Sequence, residues 1–525
     1  MKKYFLKGDI SGIQPFIFNV KSKGAAKALK AKSYFVQVLG YLGSKFVLNK
    51  LPDSQLFYEG GGSFFITFEY EEKEVVRRIE EIQSLLNGYQ KHEELLIRLS
   101  YVGYDPDSFG EAWQNLREQS ISDKQKFFDS DVNFFCPFNK LKDKELKVFP
   151  ELEDWLFKRA GINKEINLYK SITDIMVKEE NFVAKLFDEE SINTQNDFEY
   201  TLTNKLPFWK DYKHLESYTS YRKNNLEYKD EGELNENNII DFDGLADFAD
   251  HRTGTNKLGI LKLDVDNLGN LFGSVDHVKA KCYSKILSEF FNKTIYNKLF
   301  YTKSFGLNEE LESYKSNIYP VFSGGDDCFF VGAWDAILCF AKDFYELFHS
   351  NSEISKIKKD HSLTFSAGIV LVGPTHPVNS FSDLAENALS LAKRNGKNKI
   401  SIFNLSFSWK EYAFIIESSK ELAQEMRDKN ISRAYLDKIR KSAKGFNALQ
   451  NKDGADFNGI YKLKYYLSKN DEKLKRVVEL LFEPYYESLK DKLLDQANNS
   501  GYDTAVYPSI ARITELLTKT RLSYE

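Results

Sequence analysis

The feature that most constrains the fold of this chain is a long internal repeat. The first copy contains FLKGDISGIQPFIF at 5–18, QLFYEGGGSFFITFE at 55–69 and LLIRLSYVGYD at 95–105. The second contains LGILKLDVDNLGNLF at 258–272, YPVFSGGDDCFFVGA at 319–333 and SLTFSAGIVLVG at 362–373. In both copies a strand pattern with an acidic residue leads into a Gly-containing helix start, and a glycine-rich hairpin and another strand follow in the same order.

Spacing within the two copies agrees closely enough to predict the same fold for both. Asp9 and Gly60 are 51 positions apart, and Asp264 and Gly324 are 60 positions apart. Loops and helix lengths absorb a difference of this size. Since helical patterns separate the strands, each copy predicts a βαββαβ unit of the ferredoxin-like kind, which we call a palm.

The rest of the chain is arranged around these two palms. We predict an α+β protein with a first palm at 1–110, a mainly helical inserted domain with a linker at 111–254, a second palm at 255–410 and a helical C-terminal domain at 411–525. The linker prediction comes from the polar, acidic run NNLEYKDEGELNENN at 224–238. The C-terminal prediction comes from helical periodicity after Trp409.

Composition excludes several classes of protein. No stretch of the sequence reaches the roughly 18 uncharged apolar residues of a membrane span. The 4 cysteines are too few and too scattered for a disulfide framework or a CxxC zinc site. We therefore expect a cytoplasmic protein with no membrane partner. The formal charge of −4 provides no overall attraction to nucleic acid, so contacts with RNA or DNA must come from local patches or partner subunits.

Two motifs of the second copy predict a cluster of carboxylates. In KLDVDNLG at 262–269, strand alternation puts Lys262, Asp264 and Asp266 on one face. In FSGGDD at 322–327, the glycines permit a tight hairpin with Asp326 and Asp327 at its tip. If the two central strands are neighbours, Asp264 meets this pair, and the three carboxylates raise one another's pKa unless a cation neutralises them.

A pair of Mg²⁺ or Mn²⁺ ions is the cofactor that such a cluster favours, because hard cations accept carboxylate oxygens together with nucleotide phosphates. Two ions can activate an attacking hydroxyl and stabilise a leaving pyrophosphate. The predicted metal ligands are Asp264, Val265, Asp326 and Asp327. The simpler interpretations are that GGDD is an ordinary hairpin turn and that Asp266 caps the helix beginning near Asn267.

A basic cluster follows in FSDLAENALSLAKRNGKNKISIF at 381–403, where a helix ends near Lys393, Arg394, Lys397 and Lys399. Cations at a helix C-terminus interact favourably with the helix dipole, which is one explanation. The functional explanation is that Lys393 and Lys397 hold the triphosphate of a bound nucleotide.

The hairpin of the first copy lacks the carboxylates, because Gly62 and Ser63 stand where the second copy has Asp326 and Asp327. This palm is either a scaffold or a place where exposed N–H groups receive a phosphate or ribose. We predict that the first palm holds an acceptor nucleotide while the second activates the donor. The predicted nucleotide-binding residues are Ser11, Gly60, Gly61, Gly62, Ser63, Asn267, Ser323, Gly324, Gly325, Lys393 and Lys397.

A basic helical segment follows the first strand of the first copy, NVKSKGAAKALKAKSYF at 19–35. Its lysines are Lys21, Lys23, Lys27, Lys30 and Lys32. They are either a solvated helix face or contacts for nucleotide phosphates or an RNA-containing partner.

The motifs DISGIQ, SKGAAKALKAKSY, FYEGGGSFF, LDVDNLG and SGGDD resemble those of the large signature subunit of type III CRISPR interference complexes, in particular the III-A-like branch. The resemblance covers about 1–105 and 255–410. The AKxxGKN pattern at Ala392 to Asn398 is also similar to that of diguanylate cyclase palms.

This resemblance implies a cyclic oligoadenylate synthase that uses ATP as its substrate and is switched on when a guide-loaded complex binds target RNA. It implies that Asp264, Asp326 and Asp327 are catalytic and bind the metal. The implied partners are the backbone, small and guide-5′-end-capping subunits, together with guide RNA and target RNA.

Two departures from the family pattern are visible. Many members begin with an HD nuclease domain, whereas here the first palm pattern starts at residue 5 and no His-Asp dipeptide occurs, so we expect no DNase activity. The cysteine-ligated zinc of many relatives is missing too. The alternatives are a stand-alone nucleotide cyclase that makes a cyclic dinucleotide and a non-catalytic scaffold subunit of the complex.

Overall fold

A computed structural model of the chain describes residues 1–20, 25–88, 95–126, 206–225, 236–306, 311–324, 326–450, 472–493 and 501–519. Over these ranges, none of the helices combines the length and the apolar character that a membrane crossing requires. The predicted inserted domain at 111–254 is described only in part, and residues 127–205 lie outside the described ranges.

The first palm is a four-stranded antiparallel sheet. Its strands are β1 (Lys2–Ser11), β2 (Gln55–Gly60), β3 (Ser63–Tyr70) and β4 (Leu96–Gly103), in the order β2-β3-β1-β4. Its helices are Ile13–Phe18, Ala25–Lys50 and Val75–Gly88. This is the βαββαβ order that the sequence predicted.

The second palm repeats this arrangement and extends it. Its strands are β5 (Leu258–Val265), β8 (Ile318–Gly324), β9 (Asp327–Ala333), β10 (Phe365–Val372), β11 (Lys399–Ile402) and β12 (Leu405–Ser408), in the order β12-β11-β10-β5-β9-β8. A separate ribbon is formed by β6 (Ser304–Phe305) and β7 (Glu312–Ser313). Its α-helices are Leu268–Gly273, His277–Glu289, Tyr314–Asn317, Trp334–Ser350, Ser352–Asp360 and Phe381–Arg394, and π-helical turns cover Phe290–Thr294 and Tyr296–Phe300.

Outside the palms, the described residues are mainly helical. The helices are Phe109–Lys126, Leu215–Asn225, Phe242–Thr253, Trp409–Asp428, Ala434–Gln450, Lys475–Val477, Glu483–Leu493 and Val506–Leu517, with a π-helical turn at Val478–Phe482. Short 3₁₀ turns cover Trp209–Asp211 and Glu472–Leu474 here, and Pro106–Ser108 and Val378–Ser380 within the two palms. The helix Phe109–Lys126 touches both palms, since Ser100 Oγ donates to Asp123 (2.8 Å) and Trp113 Nε1 donates to the Gly269 carbonyl (3.1 Å).

The central strand β5 is covered on both faces, which explains its nearly continuous apolar sequence. Leu261, Leu263 and Val265 join one buried cluster, whereas Leu258 and Ile260 join a second buried cluster that also contains most of the core of the first palm. The face that carries Lys262 and Asp264 is therefore the one that looks toward the first palm.

The two palms pack directly against each other. The rings of Phe18 and Phe329 are 4.8 Å apart, and Ser382 Oγ donates to Gln14 Oε1 at 2.9 Å. Tyr319 also donates to the Ala26 carbonyl. These contacts place the two palms side by side. The prediction of an acceptor nucleotide on one palm and a donor on the other requires this arrangement.

The basic segment at 19–35 contributes to this packing. Lys30 is buried and donates to the Pro320 carbonyl of the second palm (3.3 Å), while Lys32 is buried and donates to the Phe16 carbonyl (3.0 Å). Burial therefore argues against these two lysines as contacts for RNA. Lys21, Lys23 and the Lys27 side chain lie outside what the structure describes.

Candidate active site between the two palms

Three carboxylate residues meet at the tip of the β8-β9 hairpin. Asp264 lies opposite Asp327 in the antiparallel pairing of β5 with β9. The Val265 N–H donates to the Asp326 carbonyl at 3.0 Å, which ties the end of β5 to the hairpin. The group with which Val265 could bind a metal is its own carbonyl oxygen. The register confirms that the two central strands are neighbours and that they bring the carboxylate residues together.

Burial and mutual repulsion dominate the electrostatics of this cluster. Burial raises the pKa of Asp264, and the neighbouring Lys393 opposes this shift. Burial and then the charge of Asp264 raise the pKa of Asp326. Burial and then the charge of Asp326 raise the pKa of Asp327. A cation bound among these groups would be favoured, because it relieves both the repulsion and the cost of burial.

The oxygen donors of this cluster suit Mg²⁺ or Mn²⁺ in chemical type. In their present arrangement, however, no three His, Cys, Asp or Glu side chains of the described ranges are grouped closely enough to hold a metal ion. Lys393 Nζ contacts the Asp264 carboxylate instead. A side-chain cation therefore already neutralises one of the three acids.

Both predicted phosphate-binding lysines reach the end of β5. Lys393 is in the last turn of the helix Phe381–Arg394 and contacts Asp264. Lys397 follows in a loop with a left-handed φ of 61° and contacts the side-chain oxygen of Asn267. The sequence had no means of pairing these lysines with particular residues, since they lie about 130 positions further along the chain.

Lys262 ties the same helix to the sheet at a second point. Its side chain is 4% exposed and forms an ion pair with Glu386 at 2.5 Å. Its charge also counteracts the raised pKa of Asp327. Sequence reasoning placed Lys262 on this face but gave it no role.

Asp266 is a structural residue, and the simpler interpretation that it caps the following helix is wrong. Its buried carboxylate accepts hydrogen bonds from Thr364 Oγ1 (2.8 Å), Ser366 Oγ (2.8 Å) and the Asn398 N–H (2.9 Å). The N-cap of the helix Leu268–Gly273 is Asn267, which makes no side-chain capping bond. Asp266 thus fixes the end of β5 to β10 and to the loop that carries Lys397.

The first palm has a corresponding site with reversed charges. Asp9 pairs with Ser63 in the same register in which Asp264 pairs with Asp327. The Asp9 carboxylate accepts from Ser63 Oγ (2.7 Å), lies 3.0 Å from Lys7 Nζ and contacts Lys124. Although burial opposes it, this environment holds the pKa of Asp9 below its ordinary value. In the first palm, two lysines thus surround the acid at the position where the second palm has further carboxylates.

The remaining predicted residues of the first palm lie near this site. Ser11 ends β1 and pairs with Leu96. Gly61 and Gly62 have φ values of 60° and 78° between the paired residues Gly60 and Ser63. Two consecutive positive φ angles define the tight hairpin that the glycines predicted.

In the second hairpin, Gly324 pairs with Asp327, and Gly325 lies outside the described residues. Ser323 is buried and donates to the Phe291 carbonyl (2.7 Å). The hydroxyl of Ser323 is therefore used within the protein. Contact of Ser323 with a nucleotide stays a prediction, and it would have to come from the backbone.

A cavity of about 290 Å³ lies between the two palms and is lined by residues of both hairpins. Lys7, Gly61 and Ser63 line it from the first palm, and Gly269, Phe272 and Asp326 line it from the second. The hairpins approach closely, since a Cβ added to Gly61 would lie 3.8 Å from Asp326 Oδ1. Trp113 and Arg117, from the helix that touches both palms, line the same cavity.

Sequence reasoning missed Ser284, which also lines this cavity. Its hydroxyl is buried and has no hydrogen-bond partner within the described ranges. It lies among the buried residues Ala280, Tyr283 and Leu287 of the helix His277–Glu289. A serine on the apolar face of a helix was the available signal, because a buried hydroxyl without a partner costs free energy.

Comparison with known families matches both halves of the chain. Residues 3–140 match "Csm1 subunit domain B", and residues 257–401 match "Cas10/Cmr2, second palm domain". The two matches cover both of the predicted palms.

Curated relatives are similar over most of this chain. The proteins called "CRISPR system single-strand-specific deoxyribonuclease Cas10/Csm1 (subtype III-A)" from Methanocaldococcus jannaschii and Mycobacterium tuberculosis are 27% and 24% identical. The first alignment covers 77% of this chain and 59% of the relative, and the second covers 96% and 63%. The chain thus spans about three fifths of the length of these relatives.

Solved structures share the fold. A Csm1-Csm4 cassette in complex with AMPPNP superimposes with a TM-score of 0.63 at 18% identity, covering 98% of this chain and 70% of that one. The cassette in complex with cA3 gives a TM-score of 0.63 at 18% identity, covering 99% and 70%.

Proposed function

Because both halves of this chain belong to the Cas10/Csm1 family, we propose that the protein joins ATP molecules into cyclic oligoadenylates within a type III CRISPR complex that is activated by target RNA. The single observation that carries this proposal is the pairing of Asp264 with Asp327 beside Asp326, with Gly61 of the other palm next to the Asp326 carboxylate. Residues of both palms line the cavity beside this pair, so each palm can contact a bound nucleotide.

In this reaction the 3′-hydroxyl of the acceptor attacks the α-phosphorus of the donor ATP. A new phosphodiester bond forms, the bond to pyrophosphate breaks, and the hydroxyl proton is released. A final intramolecular attack of the same kind closes the ring. Lys393 and Lys397 would hold the donor's triphosphate, since both lie at the end of β5 beside the carboxylates.

Asp264, Asp326, Asp327 and the Val265 carbonyl would hold two divalent cations, which supply charge neutralisation and lower the pKa of the attacking hydroxyl. For the carboxylates to take up this role, Lys393 must leave Asp264. A triphosphate provides the alternative partner for its ammonium group, so we propose that Lys393 exchanges the carboxylate for phosphate oxygens when a nucleotide binds.

The cavity supports a role for the first palm in binding the acceptor. Phe65 and Trp113 have stacked rings 4.9 Å apart and provide an apolar wall suited to a base. Lys7 and Arg117 provide positive charge suited to phosphates. The buried Ser284 hydroxyl is the group we propose to bind an edge of the base.

We infer the assembly and the location of this chain from the same comparisons. The structural neighbours are Csm1-Csm4 cassettes, and one is described as a subcomplex of the type III-A CRISPR-Csm interference complex. We propose that this chain likewise joins backbone, small and guide-5′-end-capping subunits in the cytoplasm, together with guide RNA and target RNA.

DNA cleavage is named for the curated relatives but is not part of our proposal for this chain. This sequence contains no His-Asp dipeptide. Incubating the purified chain with labelled single-stranded DNA and a divalent metal should give no cleavage products.

Reconstitution tests the proposed function. The complex is assembled with guide RNA, and ATP and Mg²⁺ are added with or without matching target RNA. Mass spectrometry should detect cyclic oligoadenylates only when target RNA is present. Equal synthesis by the isolated chain without RNA would support the stand-alone cyclase instead, and no synthesis under any condition would support the scaffold.

A further inference from the structure

The hairpin of the first palm carries a tyrosine hydroxyl at the shared cavity. Tyr58 lies near the end of β2 and lines the cavity together with Asp326. Its ring packs on Phe65, with centroids 6.1 Å apart, and this contact fixes the position of the ring. Within the described residues its hydroxyl has no hydrogen-bond partner, although phenols at such sites usually find one.

The position of this hydroxyl depends on a glycine at residue 60. A Cβ on Gly60 would lie too close to the Tyr58 hydroxyl for ordinary van der Waals contact. Gly60 does not have the positive φ of Gly61 and Gly62, so turn geometry does not explain this glycine. Space for the phenol does.

The duplicated palm offers an internal comparison. Tyr58 pairs with Phe65 on the adjacent strand, and the equivalent pair in the second palm is Phe322 with Phe329. The first palm thus has a tyrosine where the second has a phenylalanine. The hydroxyl occurs in the palm that lacks the carboxylates, which is expected if each palm contributes a different group to one shared site.

The protonation state of Tyr58 suits a hydrogen-bond donor. Burial, followed by the charges of Asp326 and Asp327, raises the pKa of its phenol far above the neutral range. The group stays protonated near these acids and has its hydrogen available for a ligand oxygen.

The neighbours of Tyr58 indicate which part of a nucleotide it meets. The apolar wall of the cavity suits the base, and Lys7 and Arg117 suit phosphates. A neutral phenol beside Asp326 suits the ribose. The attacking 3′-hydroxyl must give up its proton near the carboxylates, which leaves the adjacent 2′-hydroxyl for the phenol.

We propose that the Tyr58 hydroxyl donates a hydrogen bond to the ribose 2′-hydroxyl of the acceptor nucleotide and thereby holds the 3′-hydroxyl in front of Asp326. This inference rests on the proposed function and adds a residue that selects ribonucleotides in the acceptor position. It gives the palm without carboxylates a direct contact with the reacting sugar.

The test separates donor from acceptor in the assembled, target-RNA-bound complex. The α,β-methylene analogue of ATP serves as an acceptor that cannot donate, and 3′-deoxyATP serves as a donor that cannot accept, so one bond forms per turnover. Tyr58→Phe keeps the ring and removes only the hydroxyl. The control is Tyr345→Phe, which removes a hydroxyl from a tyrosine stacked on Trp409 and away from the cavity.

We expect Tyr58→Phe to raise the acceptor KM about tenfold, as the loss of one hydrogen bond predicts, and to leave the donor KM unchanged. With the 2′-deoxy acceptor, wild type and Tyr58→Phe should have the same KM, and the Tyr345→Phe variant should match wild type throughout. If Tyr58→Phe discriminates between the ribo and deoxy acceptors as strongly as wild type does, the inference is overturned. Failure of wild type to make any product from ATP would instead overturn the proposed function.

Discussion

Asp264 and Asp327 face each other across β5 and β9, and their counterparts Asp9 and Ser63 face each other across β1 and β3 in the same register. The duplicated scaffold has thus kept its backbone geometry while its charges diverged. In the first palm, Lys7 and Lys124 satisfy the acid. In the second, Lys262 pairs with Glu386 instead, and the acids keep raised pKa values. This difference in charge fits the proposal that the first palm binds the acceptor nucleotide and the second palm activates the donor.

Lys393 should be required for donor binding. Replacing it with methionine removes an ammonium group at the end of β5, and losing a charged hydrogen bond should raise the KM for ATP by at least about tenfold. The measurement is the ATP dependence of product formation in the target-RNA-bound complex. Arg394→Met is the matched control, since Arg394 is adjacent but exposed and donates to the Ser390 carbonyl of its own helix (3.4 Å). Equal KM values for the two variants would show that Lys393 does not contact the substrate.

Asp9 should contribute mainly to stability. Its carboxylate is held by Lys7, Lys124 and Ser63, so Asp9→Asn leaves two ammonium groups without their charged partner. We expect the free energy of unfolding to fall by about 2 kcal/mol, measured by urea denaturation. Asp107→Asn, at an exposed position, should change it by less than about 0.5 kcal/mol. An unchanged stability for Asp9→Asn would mean that this pseudo-symmetric cluster is not formed.

Ser284 should influence base selection. Ser284→Ala removes the buried, unpartnered hydroxyl of the cavity and should lower the preference for ATP over GTP by up to about tenfold. Competition between the two nucleotides, followed by mass spectrometry of the products, measures this preference. The control is Ser288→Ala, one turn along the helix, where the hydroxyl accepts from Asn292 Nδ2 (3.2 Å). A preference that is unaffected by Ser284→Ala would rule out its contact with the base.

Much of this arrangement could be predicted from the sequence, because the positions of strands and hairpins along the chain depend on local patterns. The glycines predicted the two hairpins, and the alternation along β5 predicted that Asp264 lies on the face opposite Leu261 and Val265. Together these patterns predicted that Asp264 lies near Asp327. The βαββαβ order of elements in each palm followed from the repeat, whereas the placement of β11 and β12 in the second sheet did not.

Partners that are distant in sequence were beyond local reasoning. Asp266 looked like a helix cap because the sequence does not reveal that Thr364, just before β10, and Ser366 of β10 lie beside it. Lys30 and Lys32 looked solvent-exposed because their carbonyl acceptors, at Pro320 and Phe16, are set by packing of helices against strands. Ser284 became a candidate only once the cavity beside it was visible.

Asp247 should make stability depend on pH away from the active site. Burial raises the pKa of this carboxyl from 3.8 to about 6, assisted by the charge of Asp250 and opposed by Arg222, Asn256 and Tyr218. The folded state therefore binds the proton more tightly than the unfolded state, so stability falls as pH rises from about 4 to about 6 and stays lower above it.

Asp247→Asn removes this titration. Between pH 5 and pH 7.5 the variant should gain about 1 kcal/mol in the free energy of unfolding relative to wild type, as chemical denaturation at both pH values would show. A difference between variant and wild type that is the same at both pH values would contradict the assignment.

The most direct test of the central claim is product analysis of the Asp326→Asn, Asp327→Asn double variant. Asparagine keeps the size of these side chains and removes their charge, so the hairpin should fold and the complex should still bind guide and target RNA. With ATP, Mg²⁺ and target RNA present, we predict that mass spectrometry finds neither linear nor cyclic oligoadenylate, while wild type prepared in parallel makes both. Synthesis by the double variant at a rate close to that of wild type would contradict the account.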